Sequence, residues 1–247
     1  MMRRLIAALA CRNEGSRLYG KPLQNLDVKL GVTILDHMVD LIRTIPVIEK
    51  IVLGISEGSA NVPFIEYASK KGIAHIVGSE KDVLQRLIQC GKEGGGTDIF
   101  RATTESPFFY FERVEEAWRK HLDNGNDVTT IDGLPEGCHF EVYTLKALED
   151  SHKYGDERHR SEYCSLYICE HRNDFRVEVL PIPPELKRLD LRLTVDNPED
   201  LVLCRQVYSH LKHKAPRLPV SEIIEFLDSR PDLKKLVEPY VVAKIIW

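Results

Sequence analysis

Along the first half of the chain, short continuous apolar runs alternate with amphipathic ones. "LIAALA" (residues 5–10) has no polar position, as expected of a strand covered on both faces. "ILDHMVDLIRTI" places Ile34, Leu35, Met38, Val39, Leu41 and Ile42 on one helical stripe. "KIVLGIS" (50–56), "IAHIVG" (73–78) and "DIFRATT" (98–104) read as further strands, separated by helices over "VPFIEYASKKG" (62–72) and "KDVLQRLIQCGK" (81–92). This alternation is a βαβ series and predicts an α/β, Rossmann-like doubly wound, mostly parallel sheet with helices on both faces.

After "VEEAWRKHL" (114–122) the rhythm breaks. "DVTTI" (127–131) and "CHFEVYTL" (138–145) read as strands, "RHRSEYCSLYICEH" (158–171) as a helix, and "FRVEVLPIP" (175–183) and "LRLTV" (191–195) as strands again. "PEDLVLCRQVYSHL" (198–211) and "VSEIIEFLDS" (220–229) are strong helix patterns, with proline or serine near the start. The longest breaks, "GKEGGGTD" (91–98) and "LPIPPELKRLD" (180–190), are too short and too mixed to be domain linkers. The chain therefore reads as one domain, residues 1–247, with an irregular, strand-containing second half.

Composition adds exclusions. A chain of 247 residues, 43% of them hydrophobic, can bury one substantial core. A net charge of -4 speaks against a protein that holds nucleic acid along a basic face, while leaving room for a small anionic ligand. No apolar run approaches the roughly 18 residues of a membrane span. Arg3 and Arg4 before "LIAALAC" imitate an export signal, but the apolar part is short and "RNEGSR" follows at once. A cytoplasmic protein with its six cysteines reduced is expected. His159, Cys164, Cys169 and His171 lie close together in sequence; spacing of this kind can suit zinc, but ordinary helix and loop packing is the expected reading.

The chemistry begins directly after the first strand, in "CRNEGSRLYGKPL" (11–23). Gly15, Gly20 and Lys21 satisfy most of a P-loop pattern, yet the hydroxyl residue that would hold Mg²⁺ is replaced by Pro22, and "SRLY" is bulky for a loop wrapped around phosphate. A loop leaving the carboxyl end of the first strand of a doubly wound sheet nevertheless sits in the ligand crevice. Arg12, Arg17 and Lys21, with the Ser16 hydroxyl, then put three cations around one anionic group, pointing to a triphosphate.

In these residues the chain resembles the cytidylyltransferases that activate acidic sugars, including the Kdo cytidylyltransferases, and most closely the SpsF-type branch. The resemblance continues in order through "GSEKDVLQRL", "FRATTESPFF", "LPEGCHFEVYT", "ERHRSEY" and "LRLTVDNPEDLVLCRQVY". It implies the GT-A-like nucleotidyltransferase fold, with residues 1–135 as a nucleotide-binding half and 136–247 as an acceptor-binding and dimerisation half. It implies CTP, or another NTP, and a small acidic sugar or sugar-like acceptor as partners, Mg²⁺ as cofactor, and a homodimer.

Residue by residue, the resemblance implies that Arg12, Arg17 and Lys21 are catalytic, holding the triphosphate and the departing pyrophosphate. Ala10, Asn13, Ser16, Asp82 and Arg86 join them around the nucleotide. Glu105 and Asp196 are implied as the metal ligands, and Arg101, His139, Glu141, Arg158 and His159 as the acceptor side. For several of these the residues alone allow another role: Asp196 as a cap for the helix near Pro198, Asp82 as a helix N-terminal charge, Arg86 on an exposed helix face, and His159 as a helix-end histidine. Glu141 interrupts the apolar alternation of its strand and so marks a polar face. The chain departs from the family at Thr104-Glu105, where Gly-Asp is usual, at His139, where the branch commonly has aspartate, and at Glu162, where it commonly has proline. These departures fall on the metal and acceptor sides, which points to an unusual acceptor. A guanylyl- or uridylyltransferase acting on a sugar 1-phosphate, and a catalytically weak nucleotide-binding protein, are the alternatives.

Overall fold

The computed structural model describes residues 2–243 and 247. β1 (Leu5–Cys11) is followed by a small antiparallel hairpin of β2 (Asn25–Asp27) and β3 (Val32–Thr33), α1 (Ile34–Arg43), β4 (Ile48–Ser56), α2 (Val62–Lys71), β5 (Ala74–Gly78), α3 (Val83–Gly94) and β6 (Asp98–Arg101). The second half adds α4 (Val114–Asp123), β7 (Val128–Ile131), β8 (Glu141–Thr144), α5 (Leu145–Tyr154), α6 (Leu166–Glu170), β9 (Val177–Leu180), α7 (Pro198–Leu211), α8 (Val220–Asp228) and α9 (Pro231–Val237).

Seven strands form one sheet in the order β5-β4-β1-β6-β8-β7-β9. All neighbours are parallel except β8, which runs antiparallel to both β6 and β7. The fully apolar β1 sits inside, between β4 and β6. Because side chains alternate along a strand, Leu5, Ala7, Leu9 and Cys11 face a core shared with α1, α4 and α7, while Ile6 and Ala8 face one shared with α3 and α5. Both faces are thus covered by helices, as the alternating pattern predicts.

Local chemistry sets the helix starts. Thr33 and Asp36 form a capping box on α1, Asp82 caps α3 by accepting from Gln85 N–H at 2.8 Å, and Asn197 with Asp200 boxes α7, which has proline in its first turn. The break after α3 is a C-cap, Gly95 taking the left-handed φ of 68° that a glycine adopts without steric cost.

Two predicted elements differ. "RHRSEYCSLYICEH" is not one helix: a 3-10 turn over Glu157–Arg160 ends at Ser161, and α6 covers only Leu166–Glu170. The Asp156/His159 capping box closes the first turn onto its own backbone, so the helical register is not carried through. "LRLTV" is extended but joins no ladder; its one sheet-like contact is an isolated bridge between Glu136 and Arg192. Leu191, Leu193 and Val195 are nevertheless buried, which explains why the segment alternates like a strand. The clustered His159, Cys164, Cys169 and His171 do not converge: His159 bonds Glu170, His171 bonds the Tyr167 carbonyl, and no group of three or more potential metal ligands occurs among the described residues. No helix of the described residues is long and apolar enough to cross a membrane.

At the amino end of β6, Asp98 is fully buried and receives Arg3 Nε at 2.9 Å, the Thr97 hydroxyl at 2.7 Å and His121 Nε2 at 3.2 Å. Burial alone would raise its pKa, but the bonds from Arg3, His121 and Thr97 outweigh it and hold the carboxyl below its ordinary range. A depressed carboxyl contributes stability that is complete above its unfolded pKa, about 4, and is lost as pH falls through the folded value. Thermal melts should therefore hold steady near neutral pH and fall steeply below about pH 4. Asp98→Ala, which strands Arg3 and His121, should cost about 3–5 kcal/mol at neutral pH by chemical denaturation. A loss under about 1 kcal/mol, the range of an exposed pair, would show that the network carries no stability.

Candidate active site

β1 has neighbours on either side reached by crossovers on opposite faces, so the sheet's switch point lies at the carboxyl ends of β1 and β6. The loop leaving β1 is closed on itself: Gly20 N–H donates to the Asn13 carbonyl at 2.8 Å, and Gly20 has the left-handed φ of 60°. Asn61, at the start of α2, accepts the Asn13 N–H at 2.8 Å and fixes the loop to the neighbouring crossover. Pro22 lies in a 3-10 turn over Lys21–Leu23, where its missing N–H is no loss.

The loop leaving β6 is tied to the same place. The Thr104 hydroxyl donates to the Ala10 carbonyl at 2.8 Å, and the Glu105 carbonyl accepts the Val195 N–H at 2.8 Å. The second bond brings Asp196 beside Glu105. Two carboxylates from segments far apart in sequence thus face one cleft, with Lys21 between them in its electrostatic effect: Lys21 lowers the Glu105 pKa and Asp196 raises it. Burial dominates, however, and pushes the Glu105 carboxyl above its ordinary value.

Asp196 has the opposite balance. Burial would raise it, but Lys21 Nζ at 2.6 Å, Arg192 at 2.6 Å and Arg17 at 3.2 Å hold it below its ordinary value. Its side chain does not cap α7; Asn197 does, leaving the Asp196 carboxylate to the cations. Arg192 itself is nearly buried and bridges Asp196, Asp200 at 2.9 Å and Glu136 at 2.5 Å.

Two connected cavities open here. The smaller one is lined by Ala10, Arg12, Asn13, Lys21 and Arg86, the wider one by Arg17, His139, Glu141 and Asp196, and both by Arg101, Glu105 and Glu162. Arg86 is almost wholly buried rather than on an exposed face; it donates to the Cys11 and Gly54 carbonyls at 3.2 and 2.9 Å, and its Nε has no partner. Arg101 pairs with Glu141, its cross-strand partner on β8, and bonds the Glu162 carbonyl at 2.8 Å. Arg12 pairs with Glu162. Burial pushes the His139 pKa down, favouring a neutral ring, against the pull of Glu141.

Four expected residues lie outside these linings. Ser16 is an exposed loop residue. Asp82 caps α3 and accepts His152 Nε2 at 2.7 Å. Arg158 is exposed, paired with Asp156 and Glu170, and His159 is buried against Glu170 at 2.8 Å in its capping box. Conversely, Glu136, Arg192 and the carboxylate role of Glu162 were not legible as site features. The spacing of Arg192, Asp196 and Asp200, four residues apart, was the available signal for that network, but four-residue spacing reads as helical, whereas Arg192 and Asp196 precede α7 and only Asp200 lies in it.

A metal ion fits the donor set in a limited way. Glu105 and Asp196 are two hard oxygen donors at one cleft, and Mg²⁺ at nucleotide sites is commonly held by one or two carboxylates together with the substrate's phosphates.

A basic loop and two carboxylates at the switch point of such a sheet sit on the nucleotidyltransferase fold. A cytidylyltransferase from Leptospira borgpetersenii superposes with a TM-score of 0.84 over 100% of both chains, at 21% identity. In sequence, the chain is similar to the spore coat polysaccharide biosynthesis protein SpsF of Bacillus subtilis, 28% identical over 94% of this chain and 97% of that one. It is 29% identical to an uncharacterized protein of Methanocaldococcus jannaschii over 94% of both chains. No family model matches the chain.

Proposed function

We propose that this protein is a nucleotidyltransferase, a CTP-dependent cytidylyltransferase that activates a sugar-like acceptor for a surface polysaccharide or glycoconjugate and releases pyrophosphate. The observation that carries this reading is the convergence of Arg17 and Lys21 from the first loop on Asp196, next to Glu105, at the carboxyl edge of the sheet. The names of the similar SpsF protein and of the Leptospira enzyme support the polysaccharide context and the cytidylyl group.

In the reaction, an acceptor oxygen attacks the α-phosphorus, its new bond forming as the bond to the bridging oxygen of pyrophosphate breaks. Arg12, Arg17 and Lys21 bind the β- and γ-phosphates and take up the charge that develops on the leaving group. Glu105 and Asp196 would hold Mg²⁺, which, when bound, supplies charge neutralisation at the reacting phosphate. Because Lys21 and Arg17 pair with Asp196 in the protein alone, substrate entry exchanges these ion pairs for phosphate contacts. The buried Arg86 lines the same cavity as Arg12, Asn13 and Lys21 and adds its positive charge to the nucleotide side. The protein acts in the cytoplasm as a homodimer, with residues 136–247 supplying the contact and the acceptor side.

The test is pyrophosphate release from each of the four NTPs with Mg²⁺ across a panel of sugars, sugar acids, amino sugars and sugar phosphates. Release with CTP and one acceptor is expected. Release with GTP or UTP and a sugar 1-phosphate would replace the cytidylyl reading, and CTP binding without release from any pair would favour a binding protein.

A further inference from the structure

The charges around the wider cavity bear on what the acceptor is. Its lining carries six carboxylates: Glu105, Asp132, Glu136, Glu141, Glu162 and Asp196. Against them, the described lining residues include two permanent cations, Arg17 and Arg101. Both are committed. Arg101 is nearly buried on Glu141, and Arg17 belongs to the phosphate loop and pairs with Asp196. Arg192, behind the lining, is taken up by Glu136, Asp196 and Asp200. His139 is the remaining basic group; it is partly buried in the cavity wall, and desolvation there pushes its pKa down, toward the neutral ring.

Nucleotide binding sharpens this imbalance. Once Arg12 turns to the triphosphate, Glu162 loses its ion-pair partner, while the Glu162 carbonyl stays bonded to Arg101. Glu162 lines both cavities, at their junction. With Mg²⁺ on Glu105 and Asp196, Arg101 on Glu141 and Arg192 on Glu136, a carboxylate or phosphate on the acceptor would still face the Glu162 carboxylate that Arg12 has released, while Arg17 and Arg101 in the lining are already engaged. An ammonium group would meet Glu162 directly, with polyol hydroxyls left for the Thr194, Ser165 and Ser106 hydroxyls in the same lining.

Resting on the cytidylyltransferase reading, we infer that the acceptor is an amine-bearing sugar whose protonated amino group is received at Glu162, rather than a sugar acid. Arg12 and Glu162 then form a paired device: each is released to its own substrate when the nucleotide is seated.

The test uses the full-length protein saturated with Mg²⁺ and the non-transferable analogue α,β-methylene-CTP, whose binding is measured first by calorimetry. Matched triads follow, each a hexosamine, its N-acetyl derivative and the corresponding uronic acid in the gluco, galacto and manno series, with affinities from ligand-observed NMR. In at least one triad the amine is expected to bind about tenfold or more tightly than both counterparts. Glu162→Gln, at a largely exposed side chain where folding is not at stake, is expected to abolish that preference. The inference is overturned if a uronic acid or N-acetyl sugar binds as well as its amine in every triad, if no amine binds to the analogue-loaded protein, or if the preference survives Glu162→Gln. Failure of the analogue itself to bind would instead defeat the nucleotidyltransferase reading, and this inference with it.

Discussion

Lys21→Ala is expected to lower kcat/KM for pyrophosphate release by about 10²–10³-fold, the effect of removing one preorganised charge from the leaving group's path. The side chain is four-fifths buried and held against Asp196 at 2.6 Å, so its ammonium waits in place. Its loss also deprives Asp196 of its principal ion pair, which is why Lys21→Arg is an informative second variant. A guanidinium keeps the charge but is longer and planar, and should recover only part of the activity. Loss confined to KM, with kcat unchanged, would mean that Lys21 contributes uniform binding and not transition-state stabilisation. Full activity in Lys21→Ala would remove the loop from the mechanism.

Glu105→Gln should nearly abolish turnover and yet leave the protein as stable as before, or more so. The carboxyl is pushed above its ordinary pKa by burial and by Asp196, against the pull of Lys21, so at neutral pH its ionised form is held at a cost to the fold. The sign follows from linkage: a carboxyl raised in the folded state contributes stability below its unfolded pKa and loses it as pH rises through the folded one. The melting temperatures of the two proteins should therefore coincide in acid and separate toward neutral pH, with Glu105→Gln the higher. Adding Mg²⁺ with CTP should raise the melting temperature of the parent more than that of the variant. A variant several degrees less stable at neutral pH would contradict this and would make Glu105 a structural residue.

The parts of the molecule legible from residue order are those governed by local periodicity. The apolar run of β1, the stripe of α1 and the strand-helix alternation through β6 needed no knowledge of distant contacts, and the basic loop was visible because its cations lie within ten residues of one another. Asp196 was ambiguous because cap and ligand share one sequence context; in the structure the N-cap position of α7 belongs to Asn197, and the Asp196 carboxylate pairs with Lys21, Arg17 and Arg192. Arg86 was misplaced for a different reason. Its helix has a polar face in sequence, but an arginine can be buried where backbone carbonyls such as those of Cys11 and Gly54 replace its water, and those partners belong to two other strands. The long predicted helix over 158–171 failed where a capping box ended it, and Leu191–Val195 imitated a strand because one side of it is buried without a ladder to pair with. Arg158 and His159 were carried by a family pattern whose geometry lies away from the cavities here.

The central place of β1 has a consequence for how the chain comes off the ribosome. Leu5 pairs with Ile48 on one edge and with Asp98 on the other, so this apolar segment, although made before both of its partners, is completed only after β6 has emerged. Until then one edge of "LIAALAC" stays open, in the form of strand most prone to join another chain. The nascent protein must pass through a stage in which its future centre is its most adhesive surface, and slow translation or truncation between β4 and β6 should yield aggregates rather than a soluble half-domain.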